Sequence, residues 1–310
     1  MYYRDPALFG NQSIVDRYVD DIALTFGLQR SALNVAAVAK GLLAGAVTFS
    51  RTDGSRVEAF NDRQGILVPS LKDIMSANMQ SVKWILVIEK EASFRSIAAS
   101  AFWERIFTEG IIITGKGYPD LSTRAMIHYL ATPSPRNGFA SPSVFGLADF
   151  DPDGIAILST YKYGSKALAH EKKEHAVPQL VWIGLRSEHL ELAQGHAHAT
   201  QGILKLTPRD RKKAIDMLVQ VPLSNTQDVW RTREELQRMI QLNVKAELQL
   251  LDVMQGEMDK LLRSTLCASG VAVTRSTGDL LGSASMIYEA DDLFVQKSDQ
   301  SPPEEPASFS

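Results

Sequence analysis

Val144-Phe145-Gly146-Leu147-Ala148-Asp149-Phe150-Asp151-Pro152-Asp153-Gly154 passes from an unbroken apolar run into alternating acids, then into a proline and a glycine. An apolar run of about four to eight residues with turn formers after it reads as a buried strand. Asp-Pro beyond it opens a helix, because the carboxylate can accept from orphan N–H groups and proline fits the first turn. Similar short apolar runs occur at 84–88, followed by Glu89-Lys90-Glu91, at 110–114, followed by Gly115-Lys116-Gly117, and at 180–183. Helical stretches at 92–106, 121–130 and 154–161 alternate with them. This alternation predicts an α/β fold with right-handed crossovers and a largely parallel sheet with helices on both faces. Polar residues that follow the strands of such a sheet gather on one edge, so Glu89, the 115–117 loop and Asp149 to Asp151 are expected to converge.

Outward from this core the pattern changes. Ser13 precedes Ile14, Tyr18, Ile22 and Phe26, an apolar helical face that Gly27 ends, and a second short helix is expected over 31–38. Residues 47–49 and 57–59 flank Arg51-Thr52-Asp53-Gly54, whose Asp-Gly pair is a hairpin signal. These elements fit a winged helix-turn-helix and, equally, a small helical domain with an incidental hairpin. Toward the other end, Leu236, Ile240, Val244, Leu248, Leu251, Met254, Met258 and Leu261 predict one long amphipathic helix.

Composition narrows the class. Apolar residues make up 45% of the 310 and charged residues 22%, the balance of a globular chain. The single cysteine, Cys267, excludes an internal disulfide and suits a reducing compartment, and with six scattered histidines it offers no zinc spacing. No apolar run approaches the roughly 20 residues of a membrane span, and no signal peptide is read. The net charge of −3 is unevenly spread: from Glu289 onward six acids face Lys297 alone, leaving 30 acids against 32 Lys and Arg before it. The body is thus near neutral, which permits nucleic-acid binding through local patches without arguing for it. The Ser-, Pro- and Glu-rich end from Ser298 reads as disordered.

Asp149 and Asp151 can bring two carboxylates to one hard cation, and Mg²⁺ favours such oxygen ligands. An isolated Asp-x-Asp is more often a helix cap; Glu89 on another strand end shifts that balance toward a metal site. Glu89-Lys90-Glu91 also fits solvated charge. The 115–120 loop fits a tight connection, or a backbone that approaches a phosphate with Lys116 as cation. Tyr3 stands out only beside the acids, since a phenol needs activation before it attacks a phosphodiester.

Tyr-Tyr-Arg-Asp-Pro-x-Leu-Phe from Tyr2, Ala39-Lys40-Gly41-Leu42 with Gly45, Val87-Ile88-Glu89-Lys90-Glu91-Ala92, Ile113-Thr114-Gly115-Lys116-Gly117-Tyr118-Pro119-Asp120 and Asp149-Phe150-Asp151-Pro152-Asp153-Gly154 together resemble the meiotic double-strand-break family Spo-eleven. That family is similar to the A subunit of topoisomerase VI, a type IIB topoisomerase. Tyr161-Lys162-Tyr163-Gly164-Ser165, Leu206-Thr207-Pro208-Arg209-Asp210 and Asn243-Val244-Lys245-Ala246-Glu247 extend the resemblance to about residue 262.

The resemblance implies a winged-helix DNA-binding domain at 1–70, a Toprim metal-binding domain with its C-terminal helix at 81–265, and an extension with a disordered tail at 266–310. Tyr3 falls on the family's nucleophile, and Glu89, Asp149 and Asp151 on its Mg²⁺ ligands. Arg4, Lys40, Lys116 and Arg124 are expected DNA contacts. The implied activity is transesterification of double-stranded DNA, leaving a 5′-phosphotyrosyl link and initiating meiotic recombination. Implied partners are a second copy of the chain, accessory meiotic break proteins and a topoisomerase VI B-like subunit. The implied setting is the nucleus, on meiotic chromosomes, with no membrane. Relatives carry more of the winged-helix domain, including an Arg-Asp pair, ahead of the tyrosines. Asp153 adds an acid where relatives often have a larger residue. Two other readings stay open: a dimer that grips DNA without cutting it, and a hydrolytic Toprim nuclease in which water attacks.

Overall fold

The computed structural model describes residues 5–28, 30–33, 35, 39–60, 64–164, 175–193, 202–220, 227–254 and 256–270. These described residues form one compact unit. Tyr2, Tyr3, Arg4 and the expected tail lie outside the described residues.

Helix α1 (Pro6–Phe9) precedes α2 (Gln12–Thr25), whose N-cap is Asn11 rather than the expected Ser13: the Asn11 side chain accepts from the Ile14 N–H at 3.1 Å. The apolar face is also offset by one residue. Val15, Val19 and Ala23 are buried, whereas Tyr18, Ile22 and Phe26 are exposed. Both sets have i, i+4 spacing, and the smaller set forms the packed face. Of the expected second helix, a 3₁₀ turn at Arg30–Leu33 is described, and most of the remainder lies outside the described residues.

The expected hairpin exists as β2 (Thr48–Arg51) and β3 (Arg56–Glu58), closed by Asp53, whose Oδ1 accepts from the Ser55 N–H at 2.9 Å. It does not stand apart from the main sheet in sequence. β1 (Leu42–Gly45) and β4 (Ile66–Leu67), on either side of it, are antiparallel members of the central sheet, while β5 (Ile74–Asn78) pairs with β2.

The central strands are β6 (Trp84–Ile88), β7 (Gly110–Thr114), β8 (Ser143–Leu147) and β9 (Val181–Gly184). They pair in parallel within the order β4-β1-β7-β6-β8-β9. Every residue of β6 and β7 is buried, as expected of parallel strands covered on both faces. Crossovers carry α3 (Glu91–Ala98), α4 (Ala101–Ile106), α5 (Leu121–Ala131) and α6 (Pro152–Tyr163). The stretch expected as one helix over 92–106 is two, because the Ser100 side chain accepts from the Trp103 N–H at 3.1 Å and restarts the helix as an N-cap.

After α7 (Ser187–Ala193), β10 (Ile203–Lys205), α8 (Pro208–Gln220) and α9 (Gln227–Leu242), the expected long helix breaks. Asn243 takes φ +56°, β11 (Val244–Ala246) turns back to pair with β10, and only then do α10 (Gln249–Val253) and α11 (Glu257–Ala268) follow. The helical spacing of apolar residues runs through this break because the half-buried Val244 of β11 and the buried Leu248 beyond it happen to keep the four-residue interval. Among the described residues no helix is long and apolar enough to cross a membrane.

Candidate active site

From β6 the chain crosses to β7 on one side and afterwards to β8 on the other, so the strand order reverses between β6 and β8. The register is level: Ile88 lies opposite both Thr114 and Leu147. Residues just beyond these strands therefore share one crevice, the usual ligand position in an open α/β sheet.

Glu89 and Asp149 face each other there. The Asp149 N–H donates to Glu89 Oε2 at 2.9 Å, and both side chains are buried. The Glu89 carbonyl accepts from the Thr114 hydroxyl at 3.2 Å and from the Gly117 N–H at 2.9 Å, which ties it to the β7 side as well. Burial, then the charges of Asp149 and Asp151, push the Glu89 carboxyl up to about 8. Burial and the neighbouring acids thus disfavour the ionised form of Glu89.

Asp149 has a donor on each oxygen. Oδ1 accepts from the Leu248 N–H at 2.9 Å, and Oδ2 lies 2.7 Å from the Lys90 ammonium, itself 3.6 Å from Glu247. An antiparallel bridge between Phe150 and Ala246 brings Leu248 into reach. Burial pulls the Lys90 pKa down, but its hydrogen bond to Asp149 prevails and holds it above the ordinary lysine range.

Asp151 caps α6: its Oδ1 accepts from the Gly154 N–H at 2.6 Å, leaving its second oxygen outside that bond. Burial, with Asp149 and Asp153 adding, raises its pKa. A Cβ at position 154 would come within 2.5 Å of the Asp149 carbonyl and 3.0 Å of Glu89 Oε2, so the glycine is what admits the helix start this close to both acids. Asp153, two residues further on, pairs with Lys213 of α8 and accepts from the Tyr118 hydroxyl at 3.2 Å. Burial would raise its pKa, yet Lys213 outweighs burial and lowers it.

The 115–120 loop carries Lys116 at φ +55°, paired with Glu91 at 3.0 Å. The Lys40 ammonium donates to the Lys116 carbonyl at 3.4 Å, so the two lysines expected to meet DNA share one side of the crevice. Arg124 does not join them. It is 2% exposed within α5, and a side chain enclosed in this way has no face to offer a duplex; the expectation of a DNA contact is corrected.

Residues 84–262 match the family model for the Toprim domain of Spo11 and of the topoisomerase 6 A subunit, and residues 1–35 match the model described as "Type IIB DNA topoisomerase". The chain belongs to the topoisomerase 6A/Spo11 family. It is similar to the human "Meiotic recombination protein SPO11", 33% identical over 257 residues that cover 83% of this chain and 62% of that protein. It is 36% identical to the Schizosaccharomyces pombe "Meiotic recombination protein rec12" over 81% of this chain and 66% of that one. Identity to the A subunit of DNA topoisomerase 6 from Arabidopsis thaliana is 31%, over 81% and 56%. The chain spans about three-fifths of the length of these relatives.

A Toprim domain is in general a metal-binding domain, and the carboxylate oxygens of Glu89, Asp149 and Asp151 are the donor type that a hard divalent cation takes. Among the described residues no three acids are already gathered as a ligand cage. Asp149 is instead engaged by Lys90 and Leu248. These two, with Glu247 and Lys213, are the site residues that reading the sequence missed. Glu89-Lys90-Glu91 placed Lys90 beside the acids, but the pattern fitted solvated charge equally well. Glu247 lay in the 243–247 motif, but its place beside Lys90 shows only in the fold, and Lys213 had no local signal because α8 brings it in from far along the chain.

Proposed function

We propose that this chain is the strand-cutting component of a topoisomerase-like assembly that forms meiotic DNA double-strand breaks. The reading is carried by the meeting of Glu89 and Asp149 across the β6–β8 crevice in a chain of this family. Names of relatives that speak of meiotic recombination support the setting, nucleus and meiotic chromosomes included.

In this reading the Tyr3 oxygen attacks a backbone phosphorus, forming a 5′-phosphotyrosyl bond. The bond to the 3′ oxygen breaks, the proton given up by the tyrosine hydroxyl balances the one this oxygen takes as it leaves as a hydroxyl, and no water enters the product. Glu89, Asp149 and Asp151 would hold Mg²⁺. When bound, Mg²⁺ supplies positive charge against the phosphate oxygens. Lys40 and Lys116 neutralise backbone phosphates on one side of the crevice and, with Arg4, set the strand's path. Within residues 1–70, α2 and the β2–β3 hairpin serve as the winged-helix DNA-binding part, while β1 and β4 join the central sheet. Residues 81–265 are the Toprim domain and 266–310 an extension. Two copies supply the two cuts; their partners are accessory break proteins and a topoisomerase VI B-like subunit.

The test is recovery of covalently attached DNA from cells expressing the chain with its partners. Adducts from the wild type and none from Tyr3→Phe are expected. Free 5′-phosphates without adducts would move the reading to hydrolysis, and DNA binding with no cut product would move it to a gripping role.

A further inference from the structure

Lys90 is the immediate neighbour of Glu89, and it could have pointed to solvent as the N-cap of α3, where its side chain makes no capping bond. Its ammonium instead turns in to Asp149 at 2.7 Å, although its side chain keeps 30% exposure. The second acid in reach, Glu247 at 3.6 Å, is 48% exposed and stands at the rim. One cation therefore lies between a buried carboxylate expected to hold metal and an exposed carboxylate outside it. Each Asp149 oxygen already has one donor, the Leu248 N–H on Oδ1 and the Lys90 ammonium on Oδ2, so an ion reaching Oδ2 meets a positive charge already seated there.

We propose that Lys90 is a resident counter-ion that competes with the divalent cation for Asp149 and that Glu247 is where its ammonium rests once displaced. The proposal rests on the metal-site reading above. An unpaired buried carboxylate is costly, so an unloaded site needs such a cation. A divalent ion entering beside Asp149 would be repelled by the ammonium unless it moved, and movement toward Glu247 keeps it paired. The exposed rim acid makes that exchange cheap, because the lysine leaves a buried partner for a solvated one instead of for open water. The device keeps Asp149 neutralised between metal-binding events and sets how much free cation the site requires.

The experiment is Mn²⁺ binding to the purified chain, residues 1–310, without DNA, read by electron paramagnetic resonance of free Mn²⁺, with thermal denaturation in chelator to confirm folding. Lys90→Met should tighten Mn²⁺ binding by about threefold or more, while Lys90→Arg, which keeps the charge, should stay near wild type. Glu247→Gln removes the resting place and should weaken binding about twofold or more. In a Lys90→Met background the same change should have little effect, which separates a role through Lys90 from direct ligation by Glu247. Unchanged or weaker binding in Lys90→Met, with wild-type binding intact and lost in Asp149→Asn, overturns the competition and leaves the metal site standing. No Mn²⁺ binding by the wild type, or full binding by Asp149→Asn, overturns both. An equal loss from Glu247→Gln in either background overturns the resting place and makes Glu247 a ligand.

Discussion

The main-chain N–H of Asp149 donates to the side chain of Glu89 at 2.9 Å, so the two acids are joined by a hydrogen bond that bridges neighbouring strand ends. That bond survives whether Glu89 is ionised or protonated, since either form leaves an acceptor oxygen. What changes with protonation is the burial of its charge beside Asp149 and Asp151, only partly offset by Lys90.

Metal-free stability should accordingly fall as pH rises. The Glu89 pKa is about 8 in the folded chain against 4.5 as the ordinary value, so between these limits the folded state keeps a proton that the unfolded state has lost. Unfolding then releases a proton, and the stabilisation, complete below pH 4.5, is lost as pH climbs through about 8. Urea midpoints measured in chelator from about pH 5 to 8 should show a decline of about 2–4 kcal/mol that Glu89→Gln removes. A wild-type profile as flat as that of the variant would contradict the strained carboxylate.

Gly154→Ala is expected to be destabilising despite sitting in a helix. Elsewhere in a helix this substitution helps by roughly 0.5–1 kcal/mol. Here the new methyl would lie 2.5 Å from the Asp149 carbonyl, a main-chain atom that cannot swing aside. A net loss of about 1–3 kcal/mol is expected from such overpacking, with weaker Mg²⁺-dependent DNA-end binding. Thermal melting in the presence and absence of Mg²⁺ checks it; a stabilised variant would show that α6 can slide without disturbing the acids.

Asp153 should prove a bystander to the metal. Its carboxylate is already answered by Lys213 and the Tyr118 hydroxyl, and the ion pair is partly exposed, so Asp153→Asn should cost no more than about 1 kcal/mol. Mg²⁺ titrations of DNA-end affinity should show large losses in Glu89→Gln, Asp149→Asn and Asp151→Asn and a small one in Asp153→Asn. A dominant effect at Asp153 would mean that the ligand assignment is wrong.

The strands at 84–88 and 110–114 were legible because both faces are buried and every residue is apolar or small, which leaves a continuous run bounded by polar turns. Glu89 and Asp149 were legible for the same reason, as the first carboxylates beyond such runs. The α2 face was not, since Ile14-Tyr18-Ile22 and Val15-Val19-Ala23 have the same period and periodicity carries no phase. Nor was the break at Asn243, where a short strand kept the helical spacing of apolar residues. Lys90 and Lys213 could be seen as charges but not as partners. Their roles depend on which acids the topology sets beside them.

The arrangement of sites across two copies is open to a direct test, because the proposed nucleophile and the acids belong to different parts of the chain. If each site takes Tyr3 from one protomer and Glu89, Asp149 and Asp151 from the other, a mixed dimer of Tyr3→Phe and Asp149→Asn chains holds one doubly defective site and one intact site. Such a dimer should nick one strand and become attached through the Asp149→Asn chain, which keeps Tyr3. If sites form within a single chain, each site of the same dimer lacks one essential group and nothing should be cut. Co-expression of the two variants under tags of different size, purification of the mixed species with its partners, and sizing of the covalent adducts distinguish the cases. A wild-type mixed-tag dimer that cuts both strands is the necessary control. Attachment through the Tyr3→Phe chain would remove Tyr3 from the chemistry, and an uncut substrate beside an active control would place each site within one chain.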